Sequence, residues 1–458
     1  TRISGFMEID VTIEQHKVVK AKTKGNLFRG FEKMLLGRNP FDTVYFTQRI
    51  CGICSAAHST AASLALEDAL QIKPMEQGKY LRDLLHCCEF LQNHIRHFYQ
   101  YTLPDYVKID QVPLLEAEHD DFRLPQDINN RLAQHYFDSL PISRLAHQML
   151  ALLGGKAPHN HGVFIGGITT QATAEIIIQM DSMLDKIIAF IDEKMIPDMY
   201  DIASYYPDYF KLGKGYGNLL TYGAFDTYQD LETLYVSPSV LTKTGIAPFD
   251  ENKITESIDY SWFTSGKTTY QPEEVMPEPD QSKKEGYSWV KAPRYDELPF
   301  EVGPLARLIL NGTYENSVSA MDRSIARVLE ARKITTIMKT LLGNLIPDID
   351  VQKKYDLPEQ ATGRGLVDTT RGALGHWLKI DEKKISFYQI ITPSTWDFST
   401  RDERGLRGVA EEALIGTPIQ NPDKPGEIGR ILRSFDPCMS CATHVYRPGK
   451  KVKTIQVL

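Results

Sequence analysis

Near its start the chain alternates. Met7, Ile9, Val11 and Ile13 are apolar and separated by polar residues, and Val18 and Val19 follow after a short gap. A period of two predicts a strand or hairpin within the first 25 or so residues. A helical period then takes over. It predicts a short helix over Phe28 to Leu36 and another over Ala61 to Leu70. Strong helices are expected from Tyr80 to Tyr101, Ile142 to Leu153, Ala172 to about Tyr205, and Ala320 to Leu345. In the third of these, Ile176, Ile177, Met180, Met183, Leu184, Ile187, Ile188 and Ile191 fall on one face. Between Gly213 and Pro299 the pattern breaks into short alternations rich in Gly, Pro, Tyr and Thr. That stretch, 213–299, is expected to be an irregular, β-rich elaboration rather than a free-standing domain. With no internal repeat, the pattern predicts a mainly α (α+β) fold: one large helix-dominated domain with small β elements.

The length of 458 residues admits two to four domains or one large one. A hydrophobic share of 42% supplies a large core. The net charge of −7 gives no footing for nucleic acid or an anionic membrane surface. No apolar run reaches the roughly 18–20 residues that span a bilayer. The first residues lack the layout of a secretory signal. Membrane association or export would therefore run through a partner and its signal, with a cytoplasmic location as the alternative.

The six cysteines are too sparse for a disulfide scaffold. Cys87 and Cys88 adjoin on a predicted helix and read as small buried side chains. The other four form two pairs at opposite ends of the chain. Cys51 and Cys54 are followed by His58, and Cys438 and Cys441 by His444. Four thiolates can hold zinc, an iron–sulfur cluster, copper(I) or nickel. Structural zinc is the plain alternative, but zinc staples small units without a core, and this chain has ample core.

The flanks narrow the choice. Arg49-Ile50-Cys51-Gly52-Ile53-Cys54 with His58, and Asp436-Pro437-Cys438-Met439-Ser440-Cys441 with His444, resemble the two signatures of the nickel–iron hydrogenase large (catalytic) subunit. Phe28-Arg29-Gly30-Phe31-Glu32, Gly154-Gly155-Lys156-Ala157-Pro158-His159, Thr370 to Trp377 and Pro393-Ser394-Thr395-Trp396 resemble further segments of that family. The resemblance spans the chain and looks most like the membrane-associated uptake branch. It implies a nickel–iron centre held by Cys51, Cys54, Cys438 and Cys441, with carbon monoxide and cyanide on the iron. Cys54 and Cys441 would bridge the metals, and Cys438 would be the terminal thiolate that takes the proton when hydrogen is split. Arg371 would stand over the metals, Ser394 after Pro393 would bond a cyanide, and His58 would orient the first cysteine pair. Asp105 and Asp436 would both pair with Arg371. Glu32, the Ile390 carbonyl and His444 would bind magnesium or another hard divalent ion.

The resemblance also implies partners: an iron–sulfur small subunit to take electrons, a maturation protease and nickel-insertion factors. The protease would cut after His444, leaving a domain of residues 1–444 and releasing 445–458. The sequence departs from the family at two places. Ser4 stands where a glutamate helps relay protons, and a hydroxyl cannot hold a proton as a carboxylate does. Thr370 stands where a proline commonly precedes the arginine. The loss at Ser4 keeps a second function open, a regulatory hydrogen sensor with the same metal site and low turnover. A structural subunit of a respiratory complex is disfavoured by the intact cysteines.

Overall fold

The computed structural model describes residues 2–3, 7–112, 119–438, 441–447 and 450–456, the last two as backbone strands. It is 42% helical and 19% strand, which bears out the mainly α expectation.

The opening alternation is a hairpin of two strands, Met7–Glu14 and Lys17–Gly25. Met7, Ile9, Val11 and Ile13 are all buried, as the period of two requires. The helix expected over Phe28 to Leu36 is shorter, Phe31–Leu35. The first cysteine pair leads directly into the helix Ser55–Ala69. The helix Glu76–Arg96 follows and ends in a π turn over His97–Thr102.

The helix expected from Ile142 begins much earlier and runs Gln126–Gly154, with Pro141 inside it. Its first half is largely polar, so the apolar stripe fades there, and an interior proline ordinarily argues for a break. The Ala172 to Tyr205 run is two helices, Ala174–Phe190 and Ile196–Tyr205, joined by a π turn at Ile191–Met195. Pro197 at the second start lacks the amide that a continuous helix needs. The helix Ala320–Gly343, capped by Ser319, crosses the core. Residues 213–299 hold short strands, turns and a single 3-10 turn at Glu251–Lys253.

One sheet has no counterpart in the sequence reading. Strands Gln360–Thr369, Gly372–Asp381 and Lys384–Ile391 form an antiparallel meander. Its first strand lies directly on the Ser55–Ala69 helix. A Cβ on Gly363 or Gly365 would overlap the Ala65 or Ala61 carbonyl oxygen. Those glycines, which argue against strand by propensity, are what let the backbones touch.

The two ends of the chain meet in a four-stranded sheet of order Lys450–Gln456, Cys441–Arg447, Met7–Glu14, Lys17–Gly25. Met7–Glu14 pairs with Cys441–Arg447 in parallel, with Met7 opposite Cys441 and Asp10 opposite His444.

Candidate metal centre

Cys51 lies in extended backbone just before the Ser55–Ala69 helix, and Cys54 is that helix's N-cap residue. Cys438 arrives from the other end of the chain, four residues after the helix Gly426–Ser434. The Sγ atoms of Cys51, Cys54 and Cys438 all lie within 4.8 Å of one another, with Cys51 and Cys438 3.2 Å apart. Hydrogen bonding to Cys438 pushes the Cys51 thiol up, and Cys438 and Cys51 push Cys54 well above the ordinary range. Three thiols this close resist losing protons until a cation balances them, which is the donor set of a soft-metal site.

The Cys54 side chain makes no cap hydrogen bond. The first amides of the helix are instead satisfied from outside. Glu89, on the Glu76–Arg96 helix, accepts from Ala56 N at 2.7 Å and Ala57 N at 3.1 Å. The thiol is thereby left for metal while the helix start stays hydrogen-bonded.

Arg371 sits at the tip of a two-residue hairpin loop, between the paired Thr369 and Gly372. Its Nε donates to the Asp436 carbonyl at 2.8 Å and its Nη2 to Asn93 Oδ1 at 2.9 Å. Nη2 also forms an ion pair with Asp436 Oδ1 at 2.9 Å, and Asn93 Nδ2 donates to Asp436 Oδ2. Burial works against the guanidinium charge, but Asp436 and the cysteine sulfurs outweigh it and hold Arg371 charged. Its Nη1 is buried with no partner. Arg371 lines the same cavity of about 300 Å³ as the cysteines, so an acceptor beside the metal fits that orphaned donor. Asp436 holds a positive φ of 58°, a costly conformation for a non-glycine residue, fixed here by its bonds to Arg371 and Asn93.

Asp105 corrects an expectation. Its carboxylate is taken by Arg433, at 2.5 and 2.6 Å, and by Arg2 at 2.5 Å, not by Arg371. Burial raises its proton affinity, but the two guanidiniums overcome this and hold the carboxyl well below the usual range. These bonds occupy three of the four lone-pair sites of the carboxylate, and none of them comes from Arg371. The polar neighbour of Arg371 that the sequence reading missed is Asn93.

Ser394, at the start of the helix Pro393–Asp397, accepts from Cys438 N at 3.1 Å, which leaves its hydroxyl hydrogen for the cavity it lines with Pro393. Burial holds His58 neutral, down at about 4. Its Nδ1 meets His376 Nε2 at 3.1 Å, and His376 Nδ1 meets the Tyr388 hydroxyl at 2.8 Å. If Tyr388 donates, both imidazoles take one tautomer, and His58 presents an Nε2–H. His58 lines the cavity, and the Cys51 charge acts on it.

Glu32, Ile390 and Lys291 line the cavity too. Behind them Glu256 is fully buried, bonded to Lys291 at 2.6 Å and to Gln389. Burial first, then the Glu32 charge, raise the Glu256 carboxyl. A second cation between such acids would relieve that repulsion. Ser4 and the side chains of Cys441 and His444 lie outside the described residues.

Comparison with known proteins agrees with this geometry. The family model "Nickel-dependent hydrogenase" matches residues 29–118, 116–318 and 309–444. The periplasmic [NiFeSe] hydrogenase large subunit of Desulfomicrobium baculatum is 35% identical, over 97% of this chain and 93% of its own. The hydrogenase-2 large chain of Escherichia coli is 28% identical, over 100% and 98%. A solved structure of the reduced, active Desulfomicrobium baculatum enzyme superimposes with a TM-score of 0.92 at 33% identity, covering 96% of this chain and 97% of that one. The as-isolated, oxidised Ni-Fe-Se hydrogenase of Desulfovibrio vulgaris gives 0.91 at 35%, covering 95% and 96%. The chain belongs to the nickel-dependent hydrogenase family, as a large subunit. It is an oxidoreductase whose cysteine cluster suits metal binding. Where these relatives' names include selenium, this chain has cysteine at all four motif positions.

Proposed function

We propose that this subunit oxidises hydrogen reversibly at a nickel–iron centre held by Cys51, Cys54, Cys438 and Cys441, and passes the electrons to an iron–sulfur small subunit. The observation that carries this is the meeting of sulfurs from both ends of the chain in the cavity that Arg371, with its orphaned Nη1, also lines. When bound, the metal pair supplies heterolytic cleavage of hydrogen and accepts its electrons. The protein's own residues do the rest. Cys438 would be the group that takes the released proton. Arg371 offers a fixed charge and a hydrogen-bond donor to the cyanide side, held by Asn93 and Asp436. Ser394 donates to a second diatomic ligand, and His58 steadies the first cysteine pair. Glu32, the Ile390 carbonyl and His444 would bind a hard cation such as magnesium.

Electron exit requires a partner, because this chain has no further cysteines for clusters beyond Cys87 and Cys88, which are buried in the core. Leu27, Phe28, Met34, Leu36 and Tyr45 are large, apolar and exposed, and all lie between the first hairpin and the first cysteine pair. Leu27 and Phe28 also line the metal cavity, so a small subunit seated there lies next to the metals. Maturation removes 445–458: the family match ends at residue 444. A cut there falls inside the strand Cys441–Arg447 and leaves Cys441 paired with the first strand.

Metal analysis and infrared spectroscopy of the purified large–small complex test the reading. Nickel and iron with carbon monoxide and cyanide bands are expected, whereas zinc alone ends it. Ser4 favours the sensor as the second reading, and a dye-coupled uptake rate near zero in fully metallated protein would select it.

A further inference from the structure

We infer that protons leave the cysteine site through Glu89 and a polar seam between the Ser55–Ala69 and Glu76–Arg96 helices. The inference rests on the hydrogen-splitting function proposed above.

Glu89 is fully buried, yet it reaches the first amides of the helix that begins at Cys54. The charges of Cys51 and Arg371 both act on it. Burial pushes its carboxyl up to about 8 despite the two amide bonds, so it exchanges a proton near neutral pH. The two helices run antiparallel, because Ala56 meets Glu89 at one end and Glu67 meets Arg82, at 2.6 Å, further along. Thr60 and His86 occupy the stretch between, and His86 lies one helical turn from Glu89, about 5 Å along the axis.

Thr60 Oγ1, His86 Nε2 and Arg82 Nε are each buried and lack any protein partner. Buried polar atoms of this kind are water sites. All three residues line a second cavity of about 500 Å³, beside Asp83, Lys79 and Tyr228. Asp83 bonds Lys79 at 3.1 Å and Tyr228 at 2.8 Å, and exposed Lys73 and half-buried Glu76 mark the outer wall. The seam is thus hydrogen-bonding from the cysteine helix outward.

The step is a proton transfer alone. The proton released at the cysteines converts the Glu89 carboxylate to the neutral acid. It then passes to water between Thr60 and His86, and Glu89 returns to the carboxylate. The electrons leave separately through the small subunit. The route supplies the titrating carboxylate that Ser4 does not.

The test uses the metallated large–small complex. Glu89→Gln removes the titrating group and keeps one acceptor oxygen. Nickel content and the metal-site infrared bands should stay as in the wild type. Hydrogen uptake should fall about a hundredfold, the scale of a lost proton-transfer group. A carboxylic acid band that titrates near pH 8 in the wild type should vanish. Full nickel with uptake within twofold of the wild type overturns the route. Should Glu89→Gln lose nickel through its lost cap bond, His86→Phe and Thr60→Val decide. Both leave the cap intact and remove a polar atom from the seam, so uptake should fall at least about tenfold, and unchanged uptake in both overturns the route. A wild-type complex with full nickel but neither uptake nor exchange of deuterium with water would instead sink the hydrogen-splitting function itself.

Discussion

Arg371 is fastened by Asp436 and Asn93 and still keeps one nitrogen for the cavity. A lysine has one point charge and cannot hold those partners and face the metals at once. Arg371→Lys should therefore cut hydrogen uptake about 10²–10³-fold, the cost of a lost preorganised donor. Nickel content should stay near that of the wild type, and dye reduction set against metal analysis checks both. At this scale the motif-borne residues were legible: Cys51, Cys54, Cys438, Arg371, Ser394 and His58 stand in contiguous signatures and all line one cavity. Asn93 and Glu89 were not legible. Each is a polar residue in the middle of a helical run, and nothing in its neighbours distinguishes it from a solvated face. Asp105 misled for the opposite reason, because an acid beside a matched segment says nothing of which cation reaches it.

The elements that aim these residues depend on close backbone contact. The strand Gln360–Thr369 rides on the Ser55–Ala69 helix through Gly363 and Gly365, and its end carries the hairpin tip with Arg371. Gly365→Ala should force strand and helix apart at a cost of about 1–3 kcal/mol. The expected signature is a lowered melting temperature together with reduced nickel retention, since the strand steers Arg371; a change in neither would contradict it. The same contact explains why the sheet was missed. Strand propensity reads side chains, and here the missing side chains make the packing. Helix positions were recovered because a buried stripe is a property of the sequence itself. Their ends were not, where a polar first half or an internal proline hid them.

For the molecule as a whole, buried titratable groups set a stability profile. His58, His86 and His147 are kept neutral by burial, down at about 4. Their contribution is complete above the unfolded value near 6.5 and is lost as pH falls below it. Asp105 and Asp436 are held low by arginines despite burial, and Glu330, likewise, lies at about 2. Their contribution is present above about pH 4 and drains away below it. Glu89 and Glu411 act oppositely. Burial raises them to about 8 and about 7, so the folded state keeps protons that the unfolded chain has released. Above about pH 6.5 stability should decline until roughly pH 8. Denaturant melts across pH should show this fall, and Glu411→Gln should flatten it; an unflattened slope would assign the decline to other groups.

The parallel pairing of Met7–Glu14 with Cys441–Arg447 joins positions 434 residues apart, from residue 7 to residue 441. During translation the opening hairpin must wait for this partner while almost everything between is made and folded. The half-site at Cys51 and Cys54 stands ready on its helix long before Cys438 leaves the ribosome. Until then the site has only two of its thiols, and the first strand keeps one edge without its C-terminal partner.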